Sequence, residues 1–571
     1  MIKNIFDRKA VTLIALCVVT LFLFLGIKQF HTKGEPREAL VAQAMINDGN
    51  WTLPITNGVD IAYKPPLFHW SIASLSSITG EVNEYTSRMP SAIAVTVMVM
   101  CGYYFYRKRR GAQVSFLAAL ITLTNFEVHR AATNCRVDML LGALMVLALY
   151  FLYRWYEKRL RGVPWLAILC LSGAFLTKGP VGVLLPCAVV GALAWIRGLG
   201  FVRALFSMIA VVFASCVIPM LWYYAAWQQG GEKFFALVYE ENVLRLLGKM
   251  TYASHENPWT YNVMTVVTGF VPYTLLALLS LFTLKYTRIS SKPRQWWSKF
   301  VDYIKSMDDT RLFSLLSIVI MFVFYCIPKS KRSVYLLPIY PFIAYFLAEY
   351  IIYLVNNKPK SVKWFNTTLA SLSILLTIVI ITIALGAIPD SVFSGKRAAE
   401  NIAMINAIEN LPAWSYIFIS LPAIVGVIYF TRNSKFCTFK TACCSGILTA
   451  VIYVALNSSV LPAVLNTKSD LPTAQRIMQL APQGKVYSYF AENVEGNPLH
   501  PFTINFYLGN RMVPIESENP SHGYVIIGEK DFETFKAQYG SKYKITQIPN
   551  TRFRSCDSRQ YTNVYELKIE N

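Results

Sequence analysis

Six short polar motifs interrupt an otherwise apolar chain, five of them combining a carboxylate or a cation with proline, glycine or an aromatic residue. In chain order they are Gly34-Glu35-Pro36-Arg37-Glu38-Ala39, Tyr63-Lys64-Pro65-Pro66, Arg136-Val137-Asp138, Thr177-Lys178-Gly179-Pro180, His255-Glu256-Asn257-Pro258-Trp259 and Lys331-Arg332-Ser333-Val334-Tyr335. Carboxylates such as Glu35 and Asp138 can take or orient a proton, and lysine and arginine can hold a phosphate. Structural roles compete with these. Pro36 suits the first turn of a helix, where the dipole favours an acid at Glu35 by roughly 0.3–1 kcal/mol. Lys64 can snorkel to a membrane interface. Asp138 opens an apolar run, where an acid is costly unless paired or functional, and Arg136 is an available partner.

The elements that must position these motifs are membrane helices. Of 571 residues, 54% are hydrophobic and 15% charged, against about 25% charged in soluble domains. This excludes an ordinary soluble enzyme, and also disorder, which needs high charge and low hydrophobicity. The formal net charge of +22 comes from 54 basic and 32 acidic residues. With no zinc-finger spacing or RNA-recognition motif, no nucleic-acid partner is expected. The 11 cysteines lie mostly in apolar runs and no C-x-x-C occurs, so no thiolate metal site is expected.

About thirteen apolar runs, from 10–26 to 441–462, read as membrane helices, the first as a retained span rather than a signal peptide. Connections 107–110, 154–161, 197–203, 285–311, 358–363 and 432–440 are rich in Lys and Arg. With a cytoplasmic N-terminus all of them fall on the cytoplasmic side. Segments 30–87 and 225–261 are then long outward loops, the first carrying two amphipathic stretches. Trp296-Trp297 marks an interfacial helix on anionic lipid. Residues 1–462 form the membrane domain. Residues 463–571 are polar and read as a small outward α/β domain, with β-rich segments at 485–490, 503–508, 523–527 and 562–569 and a helix at 531–539.

Lys329, Lys331 and Arg332 fill a tight outward turn, where positive charge runs against the topology rule. An anionic ligand supplies a reason. Lys64, Lys178, Lys331 and Arg332 could face one outer cavity holding a phosphate.

The ordered motifs, with Asp48-Gly49-Asn50-Trp51, Pro54 and Gly58 in the first loop, resemble the bacterial aminoarabinose transferase and protein O-mannosyltransferase group of the GT-C fold. The resemblance spans most of residues 1–350. It implies a polytopic α-helical membrane protein of the bacterial inner membrane, with its active site and C-terminal domain in the periplasm. The implied reaction moves a sugar from a polyprenyl-phosphate carrier to lipid A, another envelope glycolipid or a protein. Glu35 and Asp138 are the implied catalytic acids. Arg37, Lys64, Lys178, His255, Lys331, Arg332 and Tyr335 would bind donor phosphate and substrate.

Two positions depart from the family pattern, which reads Asp-Glu-x-Arg-Tyr-Ala in the first loop and has a metal-associated Glu before Lys-Pro. Gly34 stands at the Asp position and Tyr63 at the Glu position. No metal is therefore predicted, although His255 remains as one possible ligand of a divalent ion. A transporter or flippase of lipid-linked sugars is the alternative. Transporters often repeat a motif in matching halves, and no second copy appears after residue 356. Cys135 and Cys556 are both outward in this topology; two free thiols are expected there rather than a disulfide.

Overall fold

The computed structural model describes residues 7–569, apart from 248, 250–255, 285–292, 396, 437, 492–499 and 519. Among the described residues, eight helices are both long and apolar enough to cross a membrane. A ninth candidate is the pair Thr260–Gly269 and Tyr273–Leu281, bent by 103°. Trp165–Lys178 and Val181–Ile196 are apolar but shorter. The helix Phe201–Tyr239 turns Phe206, Phe213 and Leu221 outward, the pattern of a surface solvated by lipid rather than water.

Several expected boundaries shift. The expected spans 88–106 and 113–127 are two helices that meet at a kink at Gly111 (φ 78°) within Glu84–Thr124, a conformation open to glycine because it lacks Cβ. The expected outward loop 225–261 is largely helical. Phe201–Tyr239 continues through a kink at Gly231, and the wider turn Glu240–Leu244 leads into Arg245–Leu247.

The first loop is built by strong local signals. Pro36 occupies the first turn of the helix Pro36–Asp48, and Gly49 (φ 68°) ends it in the left-handed region. The helix Leu67–Thr79 follows Pro65-Pro66 and stops at Gly80. Asn83 and Thr86 form a reciprocal capping box for the next helix. Between the first two helices, Ile55–Thr56 and Asp60–Ile61 pair as a tiny hairpin. Asn57 and Gly58 both have positive φ at its tip, as the two central residues of a type I′ turn require, and the Val59 amide closes that turn on the Thr56 carbonyl.

In the C-terminal region the strands Met512–Pro514, Val486–Tyr489, His522–Gly528, Tyr561–Ile569 and Tyr543–Gln547 lie in that spatial order, with Phe553–Arg554 also on Tyr561–Ile569. The first three are mutually parallel and the other pairings antiparallel. The segment 503–508, expected as β, is instead the helix Thr503–Tyr507. Ile504 is buried in the core of its own region, and Phe506 packs against the first loop, where it meets Phe30 with ring centroids 4.9 Å apart. That packing overrides the β-propensity of Thr, Ile, Phe and Tyr.

This region grips the hairpin tip of the first loop. Asn505 donates to Asn57 Oδ1 (2.7 Å), the Asn57 amide donates to Asn510 Oδ1 (3.1 Å), and Asn510 donates to the Ile55 carbonyl (3.2 Å). Gly58 lies against Val513, where a Cβ would come within 2.9 Å of a methyl group. His500 hydrogen-bonds Asp60 at 2.7 Å, and Tyr507 donates to Glu84 at 2.6 Å.

Candidate functional site

Glu35 caps the helix Pro36–Asp48 but does not face open space. Its carboxylate takes both prongs of the Arg88 guanidinium, at 2.8 and 3.1 Å, and the Cys135 backbone amide at 2.8 Å. Arg88 also donates to the Leu25 and Lys28 carbonyls. Both side chains are buried. Burial alone would raise the Glu35 pKa; Arg88, Lys28 and the amide outweigh it and hold the group well below the ordinary range.

One turn further, Glu38 gathers two cations and a histidine. Its Oε1 accepts from Lys64 (2.7 Å) and Arg37 (3.0 Å), and its Oε2 meets the buried His69 at 2.8 Å. Pro65 and Pro66 place Lys64 at the mouth of this cluster and start the helix that carries His69. Burial favours neutral Glu38, but the charges of Lys64 and Arg37 hold it well below the ordinary range. Burial, reinforced by Arg37, brings the Lys64 ammonium down to about 8.

A second cluster forms where helix ends converge. Asp138, in the first turn of Val137–Glu157, pairs with Lys178 at the end of Trp165–Lys178. The Lys178 ammonium also sits 4.3 Å from the centre of the Tyr335 ring. Arg136 and Arg332 are near enough for their charges to act on Asp138, and the Arg332 Nε is buried without a hydrogen-bond partner. The Arg136 guanidinium lies on Gly34, where a Cβ would fall 2.7 Å from one of its nitrogens. A side chain at Gly34, such as the family's aspartate, would have to displace or engage that arginine.

Glu241 and Arg245 join the clusters. The Tyr63 hydroxyl donates to Glu241 (3.2 Å), Glu241 pairs with Arg245, and Glu241 acts on the charges of Arg37 and Lys64. Arg245 acts on Lys178. The two clusters thus adjoin within electrostatic reach, with Arg37, Lys64, Arg245, Lys178, Arg136 and Arg332 against Glu38, Glu241 and Asp138. Such an excess of cations suits an anionic ligand.

Lys331 takes a different part. It is buried, and its ammonium donates to the Asn257 (3.0 Å) and Pro328 (2.5 Å) carbonyls, tying two loops together beside Arg332. His255 lies outside the described residues. Among the described residues no group of three or more His, Cys, Asp or Glu could hold a metal ion, and Tyr63 presents a phenol already committed to Glu241. Cys135 and Cys556 are both free thiols. The sequence reading missed Glu38, His69, Glu241 and Arg245. The i,i+4 spacing of Glu241 and Arg245 was the one available signal for that pair.

A family profile described as dolichyl-phosphate-mannose-protein mannosyltransferase matches residues 63–223. An undecaprenyl phosphate-alpha-4-amino-4-deoxy-L-arabinose arabinosyl transferase of Proteus mirabilis is 24% identical, over 81% of this chain and 78% of that protein. An uncharacterised protein of Aquifex aeolicus is 25% identical over 64% of this chain and 70% of its own length. The crystal structure of ArnT from Cupriavidus metallidurans in the apo state superimposes with a TM-score of 0.70 at 16% identity, covering 97% of both chains. Its complex with undecaprenyl phosphate gives 0.69. The chain thus has the fold of that ArnT structure and is similar in sequence to membrane glycosyltransferases. Its relatives are the bacterial aminoarabinose transferases and the protein mannosyltransferases.

Proposed function

We propose that the protein transfers a sugar from a polyprenyl-phosphate carrier to an acceptor at the outer face of the bacterial inner membrane, lipid A being the first acceptor to test. The observation that carries this reading is the cation-rich pair of adjoining clusters that hold Lys64 and Arg332. In sugar transfer the bond between the anomeric carbon and the carrier phosphate breaks, and the phosphate gains negative charge. Fixed cations aimed at the leaving oxygens lower that barrier, by about 2.7–4 kcal/mol for one well-placed donor.

In this reading Arg37 and Lys64 take the phosphate from the side of the first loop. Lys178 and Arg332 complete the cradle, with Tyr335 under the Lys178 ammonium. Lys331 positions Arg332 by fixing the turn that carries it. Asp138 orients Lys178, and Glu35 positions the start of the first-loop helix through Arg88. Thirteen crossings with a cytoplasmic N-terminus put the clusters and the C-terminal region on the periplasmic side. Reporter fusions at residues 108, 240 and 520 test that topology.

Mass spectrometry of envelope lipids and glycans from cells with and without the gene tests the function. Loss of one sugar from a lipid A species in the deletion supports lipid A as acceptor. Loss from another glycolipid or a glycoprotein keeps the reaction and changes the acceptor. An unchanged set of glycans, with a substrate accumulating on one side of the membrane, overturns the reading.

A further inference from the structure

We infer that Glu38 receives the proton of the acceptor, and that the arriving carrier phosphate frees it to do so by drawing Lys64 and Arg37 off one of its oxygens. This rests on the sugar-transfer reading and assigns its missing base. The two oxygens of Glu38 are held from opposite kinds of surroundings. Oε2 is held by His69, whose side chain is 2% exposed, while Oε1 is held by Lys64 and Arg37, which are 30% and 40% exposed. An anion entering from the open side meets the two cations first, because the Glu38 side chain itself is 5% exposed.

A phosphate presents several anionic oxygens and competes for the same donors through stronger, multiply satisfied hydrogen bonds. Lys64 has a flexible stem and can turn to the phosphate. The imidazole of His69, packed within its helix, stays on Oε2. Oε1 is then left as an unshared acceptor beside the phosphate. With its neutralising partners engaged elsewhere, the carboxylate becomes a stronger base.

The charged and titratable groups that face it are Arg37 on its own helix, Lys64 and His69 from the next segment, and the Cys135 thiol. Glu241 acts on it through Lys64 and Arg37. Glu35 has no comparable exposed partner, since Arg88 is fully buried.

The step balances without an added reagent. The acceptor O–H bond breaks and its proton goes to Glu38 Oε1, while the acceptor oxygen forms a bond to the anomeric carbon. The bond from that carbon to the phosphate oxygen breaks, and its electron pair leaves with the polyprenyl phosphate. Glu38 then returns its proton to solvent.

The test uses the full-length protein in detergent with undecaprenyl phosphate as probe. The parent protein binds it. Glu38→Gln, which removes the internal competitor, binds it about tenfold more tightly yet loses transfer in cells by about 10²–10⁴-fold. Glu38→Asp binds like the parent. A parent protein that fails to bind the probe overturns the sugar-transfer reading itself. A parent that binds, beside a Glu38→Gln variant with equal or weaker affinity, overturns this inference alone. Should Glu38→Gln not fold, carbodiimide labelling of the parent followed by peptide mass spectrometry decides. Labelling of Glu38 that rises when undecaprenyl phosphate is added supports release; labelling that stays level or falls overturns it.

Discussion

Glu35 and Glu38 stand three residues apart at the start of one helix, and both are buried carboxylates held ionised by arginine or lysine. Their partners separate them. Glu35 faces a buried guanidinium that is itself fixed by two carbonyls, a closed unit in which each group completes the other. Glu38 is oversupplied, with three cationic or potentially cationic groups on two oxygens, two of them reaching toward the open side. A closed pair holds a fold in register, whereas an oversupplied one is poised to exchange partners. Burial and a depressed pKa are shared by both sites, so neither alone marks a functional acid.

The strongest way to break this contrast is to open the closed pair. Arg88→Ala should destabilise the protein by about 3–5 kcal/mol, because it leaves the Glu35 charge buried and unpaired. Thermal unfolding in detergent measures it, and a variant as stable as the parent would erase the distinction. Lys64→Ala should keep the fold and weaken binding of undecaprenyl phosphate by about 10–100-fold, in line with about 1.5–3 kcal/mol for a hydrogen bond to a charged group. Equal affinity in the two proteins would remove Lys64 from the phosphate site.

The lowered pKa of Lys64 sharpens the comparison further. Its ammonium is charged below about 8 and neutral above, so affinity for the probe should fall as pH rises through that value. Lys64→Arg, which stays charged, should flatten this segment of the profile. The smallest effect is expected where a pair is partly open to solvent. His500→Ala should cost about 0.2–1 kcal/mol, read as a small shift in unfolding temperature. The hydrogen bond to Asp60 raises the His500 pKa above 6.5. Its contribution is therefore complete below pH 6.5 and lost as pH rises through the raised folded value.

Much of the site was legible because proline and glycine punctuate it. Pro36, Pro65-Pro66 and Gly179-Pro180 fix helix ends, and the charged residues beside them must then emerge at one end of the bundle. Lys64, Asp138, Lys178 and Arg332 do lie in two adjoining clusters. Charge alone could not show direction. Lys331 and Arg332 are adjacent, yet one turns to backbone carbonyls and the other keeps a buried nitrogen without a partner. Glu241 and Arg245 were hidden because the helix from Phe201 runs on past Gly231, where polar composition reads as loop. Glu38 and His69 were hidden because their pairing joins two helices across the first loop, a contact that helical periodicity does not encode. In the C-terminal region the strands at 486–489, 522–528 and 561–569 followed their β-rich segments. The helix at 503–507 was decided by the burial of Ile504 in its own region and of Phe506 against Phe30.

The grip of Asn505 and Asn510 on the hairpin tip at Asn57-Gly58 links two polar segments that leave the ribosome far apart in time. More than four hundred residues separate the two halves of that clasp. The loop bearing Arg37, Glu38 and Lys64 must therefore wait, through the insertion of nearly every membrane helix, for the partner that fastens it. A chain stopped short of residue 500 would carry the charged residues of the site with their loop unfastened. Fastening of the loop thus follows the synthesis of Asn505 and Asn510, whatever the order in which the helices between pack.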